Sequence, residues 1–440
     1  MKNRIKQYLL AASMCVGLTA CSDFFEPIPG VQFGLDETFA SKQRTEEYLN
    51  NVYSYVREVT DAIHPNTYGG IFTEASLDGA NRWNKTYAEW TNGSFNSASA
   101  QASEYFSKYY QAIAKASTFI QNVDKCTEAA ASTRGKWKSE ARALRAYYYF
   151  ELLRLYGPIP LIGEDPIPLD ASLEELIKER NSVDECVNFI ATELQSAIDS
   201  GDLLQRAGKA NLGRMDVATC MALKAKLYLY WASPLFNGNT DQASVKNKDG
   251  KQLFPQTEDH SKWTQTRDAY ERFMTFATGQ GYKLTEVYTN GKLDPYASCR
   301  AAGEFFTTTW EAVDELIFVK LRDLYDYTYW VCPKFTDFQD TDVTGGGGYY
   351  TTQETVDLFF TKDGLTIEED PGYDKFEGIP GANNFTSGRY YDPNNPSRLY
   401  FDADKSKVLK QWKDREPRFY VNITYSGSIW LNEGKYNEEM

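Results

Sequence analysis

Between Thr133 and Tyr156, apolar or aromatic residues recur at Trp137, Ala141, Leu144, Tyr148, Leu152 and Leu155, and the stripe stops at Gly157-Pro158. Steps of three and four put these residues on one face of a helix. The glycine supplies a left-handed cap and the proline a breaker. A helix this long must bury its stripe against other elements, so helix packing constrains the fold more than any other feature. A helix before it spans Ala102 to Val123, with Tyr105, Tyr109, Ile113, Ser117 and Ile120 on one face. Ser182 and Glu185 form a capping box that opens a helix carrying Cys186, Ile190, Leu194 and Ala197. Its partner, Met215 to Ala232, has a stripe of mostly small residues, Ala218, Ala222, Ala225 and Leu229, and ends at Pro234. A fifth helix, Trp263 to Ala277, presents Tyr270, Phe273 and Ala277 and closes near Gly279 and Gly281. Trp137 and Trp263 lie in these stripes and are expected to pack.

Helices arriving in pairs predict stacked antiparallel hairpins of the tetratricopeptide kind, although no clean repeat of about 34 residues can be laid down. The expected class is therefore mainly α. A helical scaffold is expected over about 36–280, and a loop-rich region with small strands over about 281–440. In that second region Glu315 to Lys320 reads as a short strand, and Gly345 to Gly348 as a flexible loop. Asp363-Gly364 reads as a turn, and Arg418 to Tyr425 with Ser426-Gly427 as a hairpin.

The N-terminus carries Lys2, Arg4 and Lys6 and then an uncharged, mostly apolar run from Tyr8 to Ala20, the layout of a secretory signal peptide. The run is too short to span a bilayer, which takes roughly 20 apolar residues. Leu18-Thr-Ala-Cys21 at its end resembles a bacterial lipobox. Residues 1–20 are thus expected to be removed, with Cys21 lipidated as the first mature residue and 21–440 forming one domain. Multiple acylation of that cysteine would give firm attachment, which a single chain would not.

The 440 residues carry 47 basic and 61 acidic side chains, a net charge of −14. That balance argues against a general nucleic-acid binder that neutralises phosphates with a basic face, and none is expected as a partner. With only two histidines, His64 and His260, the chain supports no scheme needing more imidazoles. None of the seven cysteines forms a C-x-x-C pair, so most are expected to be small buried groups. G-x-S-x-G, H-E-x-x-H and P-loop motifs are absent. Asp340-Thr-Asp342-Val-Thr344-Gly345 begins like a calcium loop, but Thr351 stands where the bidentate Glu is needed. No enzyme, metal or cofactor is expected.

Four separated segments together resemble the SusD/RagB family of outer-membrane substrate-binding lipoproteins. These are Glu140-Ala-Arg-Ala-Leu-Arg-Ala-Tyr-Tyr-Tyr-Phe through Tyr156-Gly-Pro-Ile-Pro-Leu161, and Gly213-Arg214 through Ala225-Lys-Leu-Tyr-Leu-Tyr to Ser233-Pro-Leu-Phe-Asn237. The others are Tyr350-Thr-Thr-Gln-Glu-Thr-Val-Asp357 with Asp363-Gly364, and Arg415-Glu-Pro-Arg-Phe419 with Tyr425-Ser-Gly427. The resemblance implies a SusD-like fold, a lipid-anchored position on the outer cell surface, and a SusC-like TonB-dependent transporter barrel as partner. It also implies a glycan ligand, with a peptide ligand as the family's other mode. A helix-pair scaffold that binds another protein is the alternative of a different class. Family members usually continue with further helices past the Arg-x-Pro-Arg segment, whereas this chain stops at Met440. It is therefore expected to be a fragment or a shortened member.

A sugar offers hydroxyls and an apolar C–H face, so its site needs flat rings together with amides, carboxylates or guanidinium groups. Asp78-Gly-Ala-Asn81-Arg82-Trp83, with Tyr87 and Trp90, supplies both in a segment without helical periodicity. Its place ahead of the first long helix is similar to where the family puts ligand-contacting residues. In Tyr325-Asp-Tyr327-Thr-Tyr329-Trp330, the alternation offers Tyr329 or Trp330 as further stacking rings, with Trp310 a weaker candidate. The aromatic content, 15% of the chain, points the same way. If each ring contributes no more than the roughly 1–3 kcal/mol of base stacking, two or three give micromolar to millimolar affinity.

Overall fold

The computed structural model describes residues 33–56, 76, 79–81, 89–168, 171–304, 314–320, 349–375 and 380–429. It opens with α1 (Leu35–Ala40) and α2 (Lys42–Tyr53), followed by β1 (Ala80–Asn81) and the short α3 (Glu89–Asn92). The scaffold is α4 (Ala100–Asn122), α5 (Ala131–Tyr156), the single turn α6 (Leu173–Leu176), α7 (Val183–Asp199), α8 (Val217–Ala232) and α9 (Ser261–Gly279). The long helices pack in chain order, α4 on α5, α5 on α7, α7 on α8 and α8 on α9, which is the stacking expected of helix hairpins.

Local chemistry sets the ends of these helices. The Ser182 hydroxyl accepts from the Glu185 amide, and the Glu185 carboxylate accepts from the Ser182 amide at 2.8 Å. Asp216 caps α8 by accepting from the Thr219 amide at 2.7 Å. Gly157 ends α5 at φ 66°, and a Cβ there would lie 3.0 Å from the Phe254 ring. Its ψ of −135° takes it out of the left-handed helical well while keeping it in territory that favours glycine. Helix α5 is the centre of the molecule, buried on nearly every side from Ser139 to Leu153, because α4 covers one flank and α7 the other.

Two features of the helical stripes differ from expectation. Trp263 is 42% exposed and Leu229 39% exposed, whereas Trp137 is 3% exposed. Trp263 lies in the first turn of α9, next to the buried Lys262, which α9 turns inward to pair with Asp184 at 2.9 Å. The lysine stem thus takes the inward place that the tryptophan was expected to fill. Cys126, Cys186 and Cys220 are buried free thiols and Cys299 is half-buried, so three of the four described cysteines are small core groups.

Much of the aromatic content is core. Tyr105, Tyr109, Trp137, Tyr148, Tyr149 and Phe150 are buried in the main cluster. Two of the hydroxyls find backbone partners: Tyr148 donates to the Val52 carbonyl at 2.5 Å, and Tyr149 accepts from the Ile162 amide at 3.1 Å. A tyrosine can therefore fill apolar volume and pin a neighbouring segment at once.

The later part holds β2 (Tyr288–Thr289), β3 (Lys292–Leu293), α10 (Pro295–Glu304), β4 (Tyr349–Tyr350) and α11 (Gln353–Asp357). These are followed by β5 (Phe385–Thr386), β6 (Arg389–Asp392), β7 (Asn395–Asp402), β8 (Val408–Leu409) and α12 (Pro417–Asn422). The strands form two-stranded antiparallel ladders, β1 with β4, β2 with β3, β5 with β8 and β6 with β7. Two sequence expectations are corrected here. Glu315 to Lys320 is not a strand: its Ile317 carbonyl accepts from the Thr219 hydroxyl, and its Val319 carbonyl lies against Gly213, so the segment runs past the start of α8 and pairs with no strand among the described residues. Arg418 to Tyr425 is not a hairpin. Pro417 at the first helical position and Glu416 at the cap start a helix that buries the adjacent Phe419 and Tyr420. The Gly427 turn, at φ 84°, does bring Ser428 beside Phe401.

Asp294 caps α10 through the Ala297 amide at 3.0 Å and receives a two-pronged contact from Arg398, at 2.8 and 2.9 Å. That hydrogen bonding holds its carboxyl at about 2, below the ordinary 3.8. A depressed folded-state pKa stabilises above the unfolded value and the benefit disappears as pH falls through the folded one. About 2 kcal/mol of stability should therefore fade between roughly pH 4 and pH 2. Urea denaturation at pH 7 and pH 2.5 should show Asp294→Asn costing markedly less at pH 2.5 than at pH 7. An equal cost at both would remove the carboxylate from the account.

Candidate ligand-binding surface

A ladder of only two residue pairs joins the most distant of the paired strands. Ala80 pairs with Tyr350 and Asn81 with Tyr349, which brings β1 beside β4. Later in the chain, α3 is held on the start of α4: the Phe95 amide donates to the Glu89 carbonyl at 3.1 Å, and the Ser99 hydroxyl donates to the Glu89 carboxylate. On the other side, Thr352 caps α11 by accepting from the Thr355 amide. Tyr350, the last residue of the ladder before that cap, is 53% exposed.

Asn81 thus lies in β1 and Trp90 in α3. Asp78, Arg82, Trp83, Tyr87, Trp310, Tyr329, Trp330, Cys21, Cys332, the Asp340 to Gly345 run and the Gly345 to Gly348 loop lie outside the described residues. Tyr350 is the ring that sequence reasoning did not select. Its signal, a Tyr-Tyr pair directly after four glycines, was present. Among the described residues there is no group of three or more metal-ligating side chains. None of the described helices is long and apolar enough to cross a membrane.

The charged residues of the signature segments face one another. The Glu140 carboxylate, 1% exposed, accepts from Arg214 at 3.0 Å and from the Tyr53 hydroxyl at 2.8 Å, linking the first two segments and α2. Burial raises the Glu140 pKa despite Arg214. Arg415 joins the last two segments, donating to the Val356 and Phe359 carbonyls at 2.6 and 2.8 Å. These groups spend their hydrogen bonds on each other, on backbone and on the neighbouring side chains Tyr53, Glu46 and Tyr373, so they hold the fold together.

A family model described as "Starch-binding associating with outer membrane" matches residues 32–229, and one described as "SusD family" matches residues 315–440. A "SusD-like protein" of Bacteroides ovatus is 27% identical over 175 residues, which is 38% of this chain and 30% of that protein. Among solved structures, BT4246 superposes with a TM-score of 0.67 at 24% identity, covering 87% of this chain and 64% of that one. A SusD-like protein from Bacteroides fragilis gives 0.61 at 19% identity, covering 90% and 66%. A SusD-like carbohydrate binding protein of the same species gives 0.58 at 17% identity, covering 89% and 61%. The chain spans less than two thirds of the length of each of these relatives. With both family models matched in chain order and a mainly α architecture shared with these structures, the chain belongs to the SusD/RagB family and has its SusD-like fold.

Proposed function

We propose that this protein is a non-enzymatic receptor that captures a glycan on the surface around β1 and β4 and delivers it to a SusC-like TonB-dependent transporter barrel. The observation that carries the reading is the pairing of Asn81 with Tyr349, next to which the Tyr350 ring is exposed. Rings beside amide, carboxylate and guanidinium groups are the chemistry a sugar requires. The description of the first matched family, starch-binding and associated with the outer membrane, supports the same reading. In it, the segment up to Ala20 is removed, Cys21 carries the lipid that tethers the protein to the outer cell surface, and 21–440 forms one domain.

Affinity electrophoresis of residues 22–440 through gels containing plant, host and microbial polysaccharides tests it. One polymer should retard the protein. The double variant Trp83→Ala/Trp90→Ala should weaken that binding at least tenfold, since each stacked ring contributes on the order of 1–3 kcal/mol. Tyr350→Ala should weaken it several-fold. A folded protein that runs uniformly through every gel would overturn the glycan reading. Undiminished retardation of the double variant would displace the site from this loop.

A further inference from the structure

Away from that ladder, one face of α4 and the strap that follows α5 enclose a cavity of about 410 Å³. Small-molecule sites fall in the range of roughly 300–1,000 Å³. Phe106, Tyr110, Ala114 and Ser117 recur along α4 at steps of four, four and three and form one wall. Pro160, Ile162 and Ile177 contribute to the other. The Tyr110 hydroxyl donates to the Pro160 carbonyl at 2.7 Å, so a hydrogen bond between the walls sets their separation. The Phe106 and Tyr110 rings lie 4.7 Å apart.

Two observations point to a ligand. The strap presents Leu176 at 51% and Ile177 at 70% exposure beside the cavity, and clustered apolar exposure of this kind marks interaction sites. The single charged lining residue is Lys178, which forms no ion pair among the described residues. Sugar hydroxyls would meet almost no partners on these walls, and an unmade hydrogen bond costs about 1–3 kcal/mol. An apolar body ending in an anion meets carbon throughout and an ammonium at the rim. An apolar cavity of 150 Å³ holds benzene, so this one accommodates a body of about two such rings or a medium-length alkyl chain. We propose that the cavity binds a small amphipathic carboxylate, with its apolar part along Phe106 and Tyr110 and its carboxylate at Lys178. This site is independent of the glycan surface.

The test uses residues 22–440 and the neutral fluorophore N-phenyl-1-naphthylamine, displaced in turn by decanoate and by decanol. One saturable fluorophore site is expected, and both competitors should displace it. Ala114 is exposed on α4, so Ala114→Trp should fold normally, by circular dichroism, and abolish fluorophore binding by filling the cavity. Lys178→Ala should weaken decanoate about two- to fivefold, the range of an exposed ion pair, and leave decanol unchanged. Lys178→Arg should restore decanoate. Absence of a saturable site, or full binding in Ala114→Trp, would overturn the cavity assignment. Equal effects of Lys178→Ala on the two competitors would overturn the carboxylate.

Discussion

Replacing Arg145 with alanine should destabilise the protein by about 3–5 kcal/mol, the range for breaking a buried ion pair by removing one partner. Arg145 is fully buried in α5; its Nε donates to Glu193 at 2.7 Å and its Nη1 to the Ser117 hydroxyl at 3.0 Å. Glu193 is itself 4% exposed, and its other cation, Arg142, stands back at 3.7 Å. Removing the guanidinium strands a carboxylate in the middle of the α4–α5–α7 stack and leaves a cavity where the side chain was. The double variant Arg145→Met/Glu193→Leu should recover most of the loss, because buried pairs replaced by apolar residues of similar volume are often neutral or better. An exposed pair supplies the control. Lys125 and Asp36 meet at 2.9 Å with 54% and 90% of their side chains exposed, and Lys125→Ala should cost under about 0.5 kcal/mol. Urea titrations of the four proteins give the comparison. A cost below 1 kcal/mol for Arg145→Ala would mean that water reaches the pair.

The sequence disclosed the scaffold because helix ends are written in local chemistry. Gly157 and the Ser182–Glu185 box mark boundaries without reference to the rest of the fold. Helix α2 carried the same kind of signal in Thr45, Leu49 and Val52, all buried, but its polar composition masked a stripe only three residues long. Aromatic content was the weaker guide. A tyrosine count cannot separate a ring that stacks on a sugar from one that fills a core and donates its hydroxyl to a carbonyl, as Tyr148 does to Val52. The signature segments identify the family through residues such as Glu140, Arg214 and Arg415, whose partners are one another, the backbone and neighbouring side chains of the scaffold. They therefore speak to fold and are silent on ligand. The β1–β4 ladder had no local signal at all, since two-residue strands separated by more than half of the chain have neither periodicity nor a connecting turn to announce them.

The second large effect is expected at Arg415 and should be local. Its side chain, 2% exposed, reaches the Val356 and Phe359 carbonyls and the Tyr373 hydroxyl, and lies 5.0 Å from the centre of the Phe419 ring. Arg415→Ala leaves three buried acceptors with fewer partners, and each orphaned group costs about 1–3 kcal/mol. Arg415→Lys should rescue little, because one ammonium cannot span acceptors that a planar guanidinium reaches together. The residues around it, Val356, Tyr400, Phe401, Val408, Phe419 and Tyr420, form an apolar cluster distinct from the main core. Loosening that cluster should speed amide hydrogen exchange in β7 and α12 while α5 keeps its protection. Arg145→Ala should do the reverse, raising exchange in α5 and α7 first. If both variants accelerate exchange uniformly along the chain, the two clusters unfold as one cooperative unit and the separation drawn from their contacts is wrong. If the patterns diverge, a ligand surface at the β1–β4 ladder lies where two separately stabilised regions meet, since α3 rests on α4 of the scaffold and β4 runs into α11 of the smaller cluster.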